Sequence, residues 1–166
     1  MPQRQDWSGA PCPIARTVNI VGDPWAVRIM CEAMMGTSRY DDFRARLGVA
    51  DNVLSRRLQQ LVEAGTLSRA SYRGAQRTHY EYVLTPAGAD LLPVLNAMAV
   101  WGERHTEAPG PQGHLTIVHI TCGKPSDRAD ACAHCGEALS ASNTAWHRAW
   151  ASSEAVPIQQ VGDGPS

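Results

Sequence analysis

Two short turns in the C-terminal third of the chain repeat one design: His119-Ile-Thr-Cys122-Gly123 and Cys132-Ala-His-Cys135-Gly136. Each holds two metal-ligating residues separated by two others and followed by a glycine that lets the backbone fold back tightly beneath the sulfur. Nine residues separate Cys122 from Cys132, a length that suits a short hairpin. Three thiols and an imidazole in two such knuckles are the donor set of a closed tetrahedral zinc site, with His119, Cys122, Cys132 and Cys135 as candidate ligands. His134, His114 and His147 are alternative sources of the fourth ligand. Four protein ligands leave no position for a reactive water, so the zinc is expected to be structural and to fold a segment too small to own a core. Two rival chemistries stay open: a redox-active Cys132/Cys135 pair, and simple pairing of the thiols under oxidation. The first wants a strand-to-helix setting in an α/β domain, which nothing in this sequence supplies.

A second constellation lies in the middle of the chain. Asn52, Ser55, Arg56 and Gln59 recur at i, i+3, i+4 and i+7, so on a helix they form one row of side chains able to reach base edges in a DNA groove. Arg57 beside them, and Arg73 and Arg77 further on, are candidates for phosphate or minor-groove contact. Any amphipathic surface helix shows polar residues outward, so this row acquires meaning only from the elements that hold it.

Those elements are legible. Phe43 and Leu47 give a first helix an apolar edge, and Gly48 breaks it. Leu54, Leu58, Leu61 and Val62 then give a second helix one buried face, and Gly65 stands where a left-handed cap is wanted. TLSRASY and RTHYEYVL follow as strand-like runs joined by RGAQ, whose glycine a hairpin loop needs, and Arg73 and Arg77 bracket the tip. A helix-turn-helix followed at once by a hairpin predicts a winged helix. The short piece Thr37-Ser-Arg39 is a candidate third strand.

Upstream, Pro13 opens a helix bearing Ile14, Val18, Ile20 and Val21 and ending at Gly22. Asp23-Pro24 is the start of another, which runs from Trp25 to Met35 with Trp25, Ile29 and Met30 toward the core. Downstream, Thr85-Pro86 starts a long helix to about His105, expected to kink at Pro93. Its apolar residues, Leu91, Leu92, Leu95, Met98, Ala99 and Trp101, are more than one small domain can cover. Together with the apolar first helix they predict a two-fold homodimer interface.

The organisation expected is therefore mainly α with a small β-hairpin, in the α+β class. Residues 1–11 form a flexible N-terminal segment, 12–106 a winged helix-turn-helix with its dimerisation helices, and 107–113 a proline and glycine linker. Residues 114–140 form a metal-stabilised hairpin module, and 141–166 a partly disordered tail.

The chain has 166 residues and a net charge of -1, but the charge is unevenly placed. From Thr37 to Tyr80 eight arginines face four acids, whereas from Glu81 onward four basic residues face nine acidic ones. Positive charge is concentrated on the reading unit, as binding to double-stranded DNA requires. No apolar run nears the roughly 20 residues that span a bilayer. The start, MPQRQDWSGAPCP, lacks the apolar centre of a secretory signal, so no membrane partner and a cytoplasmic location are expected. Five cysteines there do not suggest a disulfide framework. No serine, histidine and aspartate grouping or phosphate loop stands out, so an enzyme is not expected. A protein-interaction adapter that leaves DNA alone is the remaining alternative, which the local positive charge disfavours.

The stretches CPIARTVNIVGDPWAVRIM, RYDDFRARL, VLSRRLQQLVEAGTLSR and YEYVLTPAGADLLPVLNAMAVWGERH resemble, in that order, the HxlR family of bacterial winged-helix regulators, relatives of the MarR group. The resemblance spans Cys12 to about His105. It implies a homodimer on a palindromic operator, with repression the expected output, a recognition helix over Asn52 to Glu63 and a wing over Arg73 to Arg77. One departure is visible: Ala50-Asp51 stands where the family commonly has a serine or threonine cap followed by proline. Asp51 could take over as cap or favour the helix dipole from the first turn. Cys12 occupies the position of the family's cysteine ahead of the first helix, which in some members senses oxidants or electrophiles. The amino end of a helix favours thiolate, although such a cysteine can equally be a small packing residue. Cys31, mid-helix among apolar residues, is expected in the core.

Overall fold

The computed structural model describes residues 5–73 and 78–161; the side chains of Arg73 and Thr78 and all of residues 74–77 lie outside that description. Among the described residues, six helices and two antiparallel sheets follow in chain order. Helix α1 spans Pro13–Val21, α2 Pro24–Met34, α3 Tyr40–Leu47 and α4 Asp51–Glu63. Strands β1 Leu67–Arg73 and β2 Thr78–Leu84 come next, then α5 Pro86–Ala89 and α6 Leu92–His105. Four strands come last among the described residues: β3 Leu115–His119, β4 Lys124–Ser126, β5 Thr144–Arg148 and β6 Val156–Pro157.

Local chemistry explains the helical boundaries. The Asp23 carboxylate accepts from the backbone N–H groups of Trp25 and Ala26, and Pro24 takes the first helical position, where an N–H would have no partner anyway. Gly48 (φ 62°) supplies the left-handed turn between α3 and α4, and Gly65 (φ 76°) the one after α4. There Gly65 N–H bonds to Val62 O and Thr66 N–H to Leu61 O, the paired pattern that satisfies the last carbonyls of a helix. Ala50 is the cap residue of α4 and offers no side-chain bond, so Asp51 sits in the first helical turn. Leu54, Leu58 and Leu61 of α4 are buried with Phe43, Leu47, Ile29 and Met30, which fixes the angle between the two helices.

The hairpin pairs from Leu67↔Leu84 to Arg73↔Thr78. Its third strand shrinks to an isolated bridge, Arg39↔Glu81, with Tyr82 N–H bonded to Ser38 O. Where one kinked helix was expected, the chain makes two. Asp90 and Leu91 stay in the right-handed region but form a tighter turn, with Leu91 N–H bonded to Gly88 O, and α6 restarts with Pro93 in its first turn. Proline lacks the N–H that a continuous helix would use and its ring crowds the preceding turn, so it begins a helix more readily than it bends one.

Two expectations about the C-terminal third need correction. The stretch 141–166 is not a tail over its described part. β5 lies between β3 and β6 in a four-stranded sheet of order β4-β3-β5-β6, and Trp146 and Ile158 are buried. Nor does the 107–113 linker separate two independent bodies. Ile117, Cys132, Leu139, Trp146 and Ile158 join the helical residues in one core. Polar ties add to this: Asn96 of α6 bonds to Trp146 and Ala129, Arg148 to Glu32, and Gln159 N–H to Met34 O.

An apolar groove of about 790 Å³ opens between α1, α2 and α6, lined by Ile14, Val18, Val27, Val94 and Met98 among others. Ile14 is 73% exposed and Trp101, further along α6, 62%. No helix among the described residues is long and apolar enough to cross a membrane.

Candidate nucleic-acid interface and metal centre

Helix α4 presents Asn52, Ser55, Arg56 and Gln59 to solvent, opposite its buried leucines. Their settings differ. Ser55 Oγ lies 3.0 Å from the Tyr40 hydroxyl, which also donates to Asp51 O at 2.9 Å, so α3 holds the start of α4 through one phenol. Gln59 Nε2 donates to Glu63 Oε1 at 2.9 Å along the helix. Asn52 and Arg56 are exposed and make no polar contact among the described residues, which leaves both free to bond outward.

Arg57 does not face outward with them. Its guanidinium lies 2.6 Å from Asp23 Oδ2, with side-chain exposures of 13% and 17%, and a second nitrogen donates to Gln60. A cation so enclosed serves the packing of α4 on α2, and a phosphate contact would require it to leave a carboxylate. Arg77 lies outside the described residues, and Arg73 ends β1. The basic residues that do reach the surface near α4 include some not singled out by sequence. Arg44 pairs with Asp41 and Asp51, Arg39 lies over the Tyr72 ring at 4.8 Å, and Arg69 over Tyr80 at 5.3 Å. The strand run carried both tyrosines, but only the hairpin register shows which cations they meet.

Cys12 is the cap residue of α1 and is exposed. The nearby Arg16 guanidinium is spent on the Ala10 and Pro11 carbonyls. Cys31 is partly buried, packed against the core rather than inside it, and desolvation pushes its thiol up from 9.0 to about 11, so little thiolate is present at neutral pH.

The four candidate metal ligands come together. One ligand atom from each of His119, Cys122, Cys132 and Cys135 lies within 4.8 Å of all the others. His119 Nδ1 is 3.2 Å from Cys122 Sγ and 3.4 Å from Cys135 Sγ, and Cys122 Sγ is 3.6 Å from Cys132 Sγ. Zinc–sulfur bonds of roughly 2.3 Å at tetrahedral angles put sulfurs about 3.7 Å apart, so these spacings fit such an ion. The two knuckles are also alike in backbone. Gly123 N–H bonds to His119 O and Gly136 N–H to Cys132 O, and both glycines have positive φ, 68° and 77°. An amide N–H of Cys135, helped by that of His134 at 3.4 Å, draws the Cys132 thiol down to about 6, whereas burial pushes Cys122 up.

His119 is fully buried, and its Nε2 has no hydrogen bond although Glu137 Oε2 is 3.4 Å away, so the contact is close but poorly aligned. With Nδ1 turned to the sulfurs and Nε2 toward a carboxylate, the ring is set as a metal ligand with an outer carboxylate usually is. The alternative histidines are elsewhere: His114 pairs with Glu103, His147 lies against Ser152 O, and His134 is exposed.

The HxlR-like helix-turn-helix family pattern matches residues 20–109. The chain is 36% identical over 131 residues to Rv3095 of Mycobacterium tuberculosis, an uncharacterised helix-turn-helix-type transcriptional regulator; the match covers 78% of this chain and 81% of that one. Among solved structures it is similar to PA1607, a candidate transcription factor, with a TM-score of 0.65 and 35% identity over 81% of this chain and 93% of that one. It is also similar to the redox regulator HypR in its reduced form, with a TM-score of 0.52 and 26% identity over 56% of this chain and 92% of that one.

Proposed function

The chain belongs to the HxlR-like helix-turn-helix family, and from that premise we propose that it is a DNA-binding transcriptional regulator that grips a two-fold symmetric operator as a homodimer. The observation that carries this reading is the outer row of α4, where Asn52, Ser55, Arg56 and Gln59 stand exposed above a buried leucine face. Helix α4 enters the major groove, these four side chains read base edges, and the hairpin reaches flanking phosphates through Arg73 and Arg77. The output is repression, exerted in the cytoplasm, and no catalysis is involved.

The apolar groove between α1, α2 and α6 supports the dimer. Ile14, Val18, Met98 and Trp101 are too large and too exposed to be left to water on a lone subunit, and a two-fold contact through them would set the distance between two α4 helices. The three-cysteine, one-histidine cluster holds a structural zinc through His119, Cys122, Cys132 and Cys135. Bound zinc cross-links the two knuckles and fixes the small sheet on α6. Selecting duplexes from a randomised pool with the purified protein tests the whole reading: a palindromic consensus protected on both half-sites is expected, and recovery of random sequence contradicts it.

A second reading concerns the signal. Cys12 is an exposed thiol at a helix start, and the chain is similar to a redox regulator over 56% of its length, which together favour oxidant or electrophile sensing at Cys12. Loss of operator binding on oxidation of the wild type, retained in Cys12→Ser, is the expected result.

A further inference from the structure

The metal cluster and the DNA-reading unit are joined through one buried side chain, and we propose that metal occupancy of the cluster sets operator affinity through Asn96, which makes the chain a metal-responsive DNA binder. The inference rests on the two readings above, of α4 as the recognition helix and of the cluster as a metal centre.

Asn96 is a fully buried amide on α6, set among Leu92 and Leu95. Both ends of the amide are used: Nδ2 donates to Ala129 O at 3.0 Å, and Oδ1 accepts from Trp146 Nε1 at 2.8 Å. Its two partners belong to the two halves of the module that the metal would tie together. Ala129 lies in the loop that leads into Cys132 and Cys135. Trp146 lies on β5, paired with Ile117 of β3, the strand that ends in His119 with Cys122 just beyond. The carbonyl of Ala129 and the indole of Trp146 face one amide only while the second knuckle is held against β3.

Within the module, Ser126 Oγ accepts from Arg128 and Ala133 N–H and lies 3.0 Å from Ala131 O, and the bridge Ala131↔Ala138 is closed by Leu139 N–H to Asp130 O and Cys132 N–H to Glu137 O. Arg104 of α6 adds exposed contacts to Asp127, but none of these ties joins the second knuckle to His119 and Cys122 as an ion would. An ion bonded to His119 and Cys122 on one side and to Cys132 and Cys135 on the other closes the arrangement. Without it the loop can part from β3, and Asn96 is left with a buried N–H and no acceptor, a state that α6 relieves only by shifting.

Helix α6 is where such a shift matters. Its outer face, with Val94 and Met98, lines the groove assigned to the second copy, so its position fixes the separation of the two α4 helices. DNA half-sites repeat at a fixed distance and penalise any change in it. A second brace runs alongside: Arg148 of β5 lies 2.6 Å from Glu32 of α2, whose other oxygen lies 3.9 Å from Arg46 of α3. The sheet therefore bears both on the dimer helix and on the helix that precedes α4.

The test uses the full chain, stripped with a chelator or reloaded with zinc, and a duplex selected by the zinc-loaded protein from randomised DNA. The stripped protein is expected to bind that duplex about tenfold more weakly. Because coupling is reciprocal, zinc affinity measured against a competing chelator should rise by the same factor when the duplex is present. Asn96→Leu should take up zinc as the wild type does when DNA is absent, yet lose the dependence of DNA affinity on zinc. Asn96→Ala removes the same amide without adding bulk and should behave likewise, so the outcome does not hang on one variant folding. Equal affinity of stripped and loaded wild type overturns the proposal, as does full coupling in both variants. A chain that selects no DNA overturns the reading of α4, and one that takes up no zinc overturns the reading of the cluster; either result also removes the proposal.

Discussion

Asp23 and Arg57, 34 residues apart, are joined by a 2.6 Å ion pair in which the carboxylate does two things at once: Oδ1 caps α2 by accepting from Trp25 and Ala26, while Oδ2 holds the guanidinium of α4. Replacing Arg57 with Ala leaves that carboxylate enclosed without its cation. The expected loss is about 2 to 4 kcal/mol of folding stability, toward the low end for a partly shielded pair. Urea unfolding checks it. A variant with unchanged stability and uniformly weaker DNA binding would instead return Arg57 to the phosphate role expected from sequence.

The position of Arg57 was in fact written in the sequence. It stands three residues after Leu54 and four before Leu61, on the flank of the buried stripe, so helix periodicity turns it inward, away from Arg56. The helix-turn-helix and hairpin are legible for the same kind of reason: apolar spacing, Asp-Pro and Thr-Pro starts, and glycines at the turns are all local signals. The metal ligands are legible because two turns of one design, a ligand pair spanning two residues and then glycine, repeat within residues 119–136. What escapes is long-range. The strand Thr144–Arg148 buries three consecutive residues, so no alternation marks it, and its partners on β3 lie 25 (His119↔Thr144) to 33 (Leu115↔Arg148) positions away. Asn96 looks like a polar blemish in an apolar helix until both of its partners, 33 and 50 residues distant, are in place.

Arg56 and Arg73 should separate two kinds of contact. Arg56 is exposed and touches nothing within the described chain, so Arg56→Ala leaves stability unchanged. In a randomised-site binding assay it should relax the preference at one base position by about 1 to 3 kcal/mol. Arg73→Ala should weaken all sequences alike and lower the slope of affinity against salt by about 1. Unaltered base preference in Arg56→Ala would remove it from the reading row.

Cys31 provides a pH signature. Burial raises its thiol from 9.0 to about 11, so the folded chain keeps the proton where the unfolded chain has released it. Its contribution is fully present below pH 9 and is lost as pH rises toward 11, by up to about 2 to 3 kcal/mol. Denaturant unfolding followed from pH 8 to 11 should show this decline in the wild type and a shallower one in Cys31→Ala. At pH 8 an alkylating reagent should modify exposed Cys12 in the native protein and reach Cys31 only after unfolding; native labelling of Cys31 would contradict its placement.

Metal removal should loosen the small sheet while leaving the helices folded, even where α6 moves as a unit. None of α1 to α6 contains a cluster ligand, so their helical circular dichroism should survive a chelator nearly unchanged. Trp146 is the one tryptophan of the five that is almost fully buried, at 1% exposure, and it sits on the strand next to the one that ends in His119. Its emission should move to the red as the sheet loosens, and Cys122, Cys132 and Cys135 should become open to labelling together. Cys132→Ser should reproduce the same spectrum without any chelator. If zinc is released and the emission stays where it was, the two knuckles hold themselves together by hydrogen bonds alone, and the ion is not what keeps Trp146 buried.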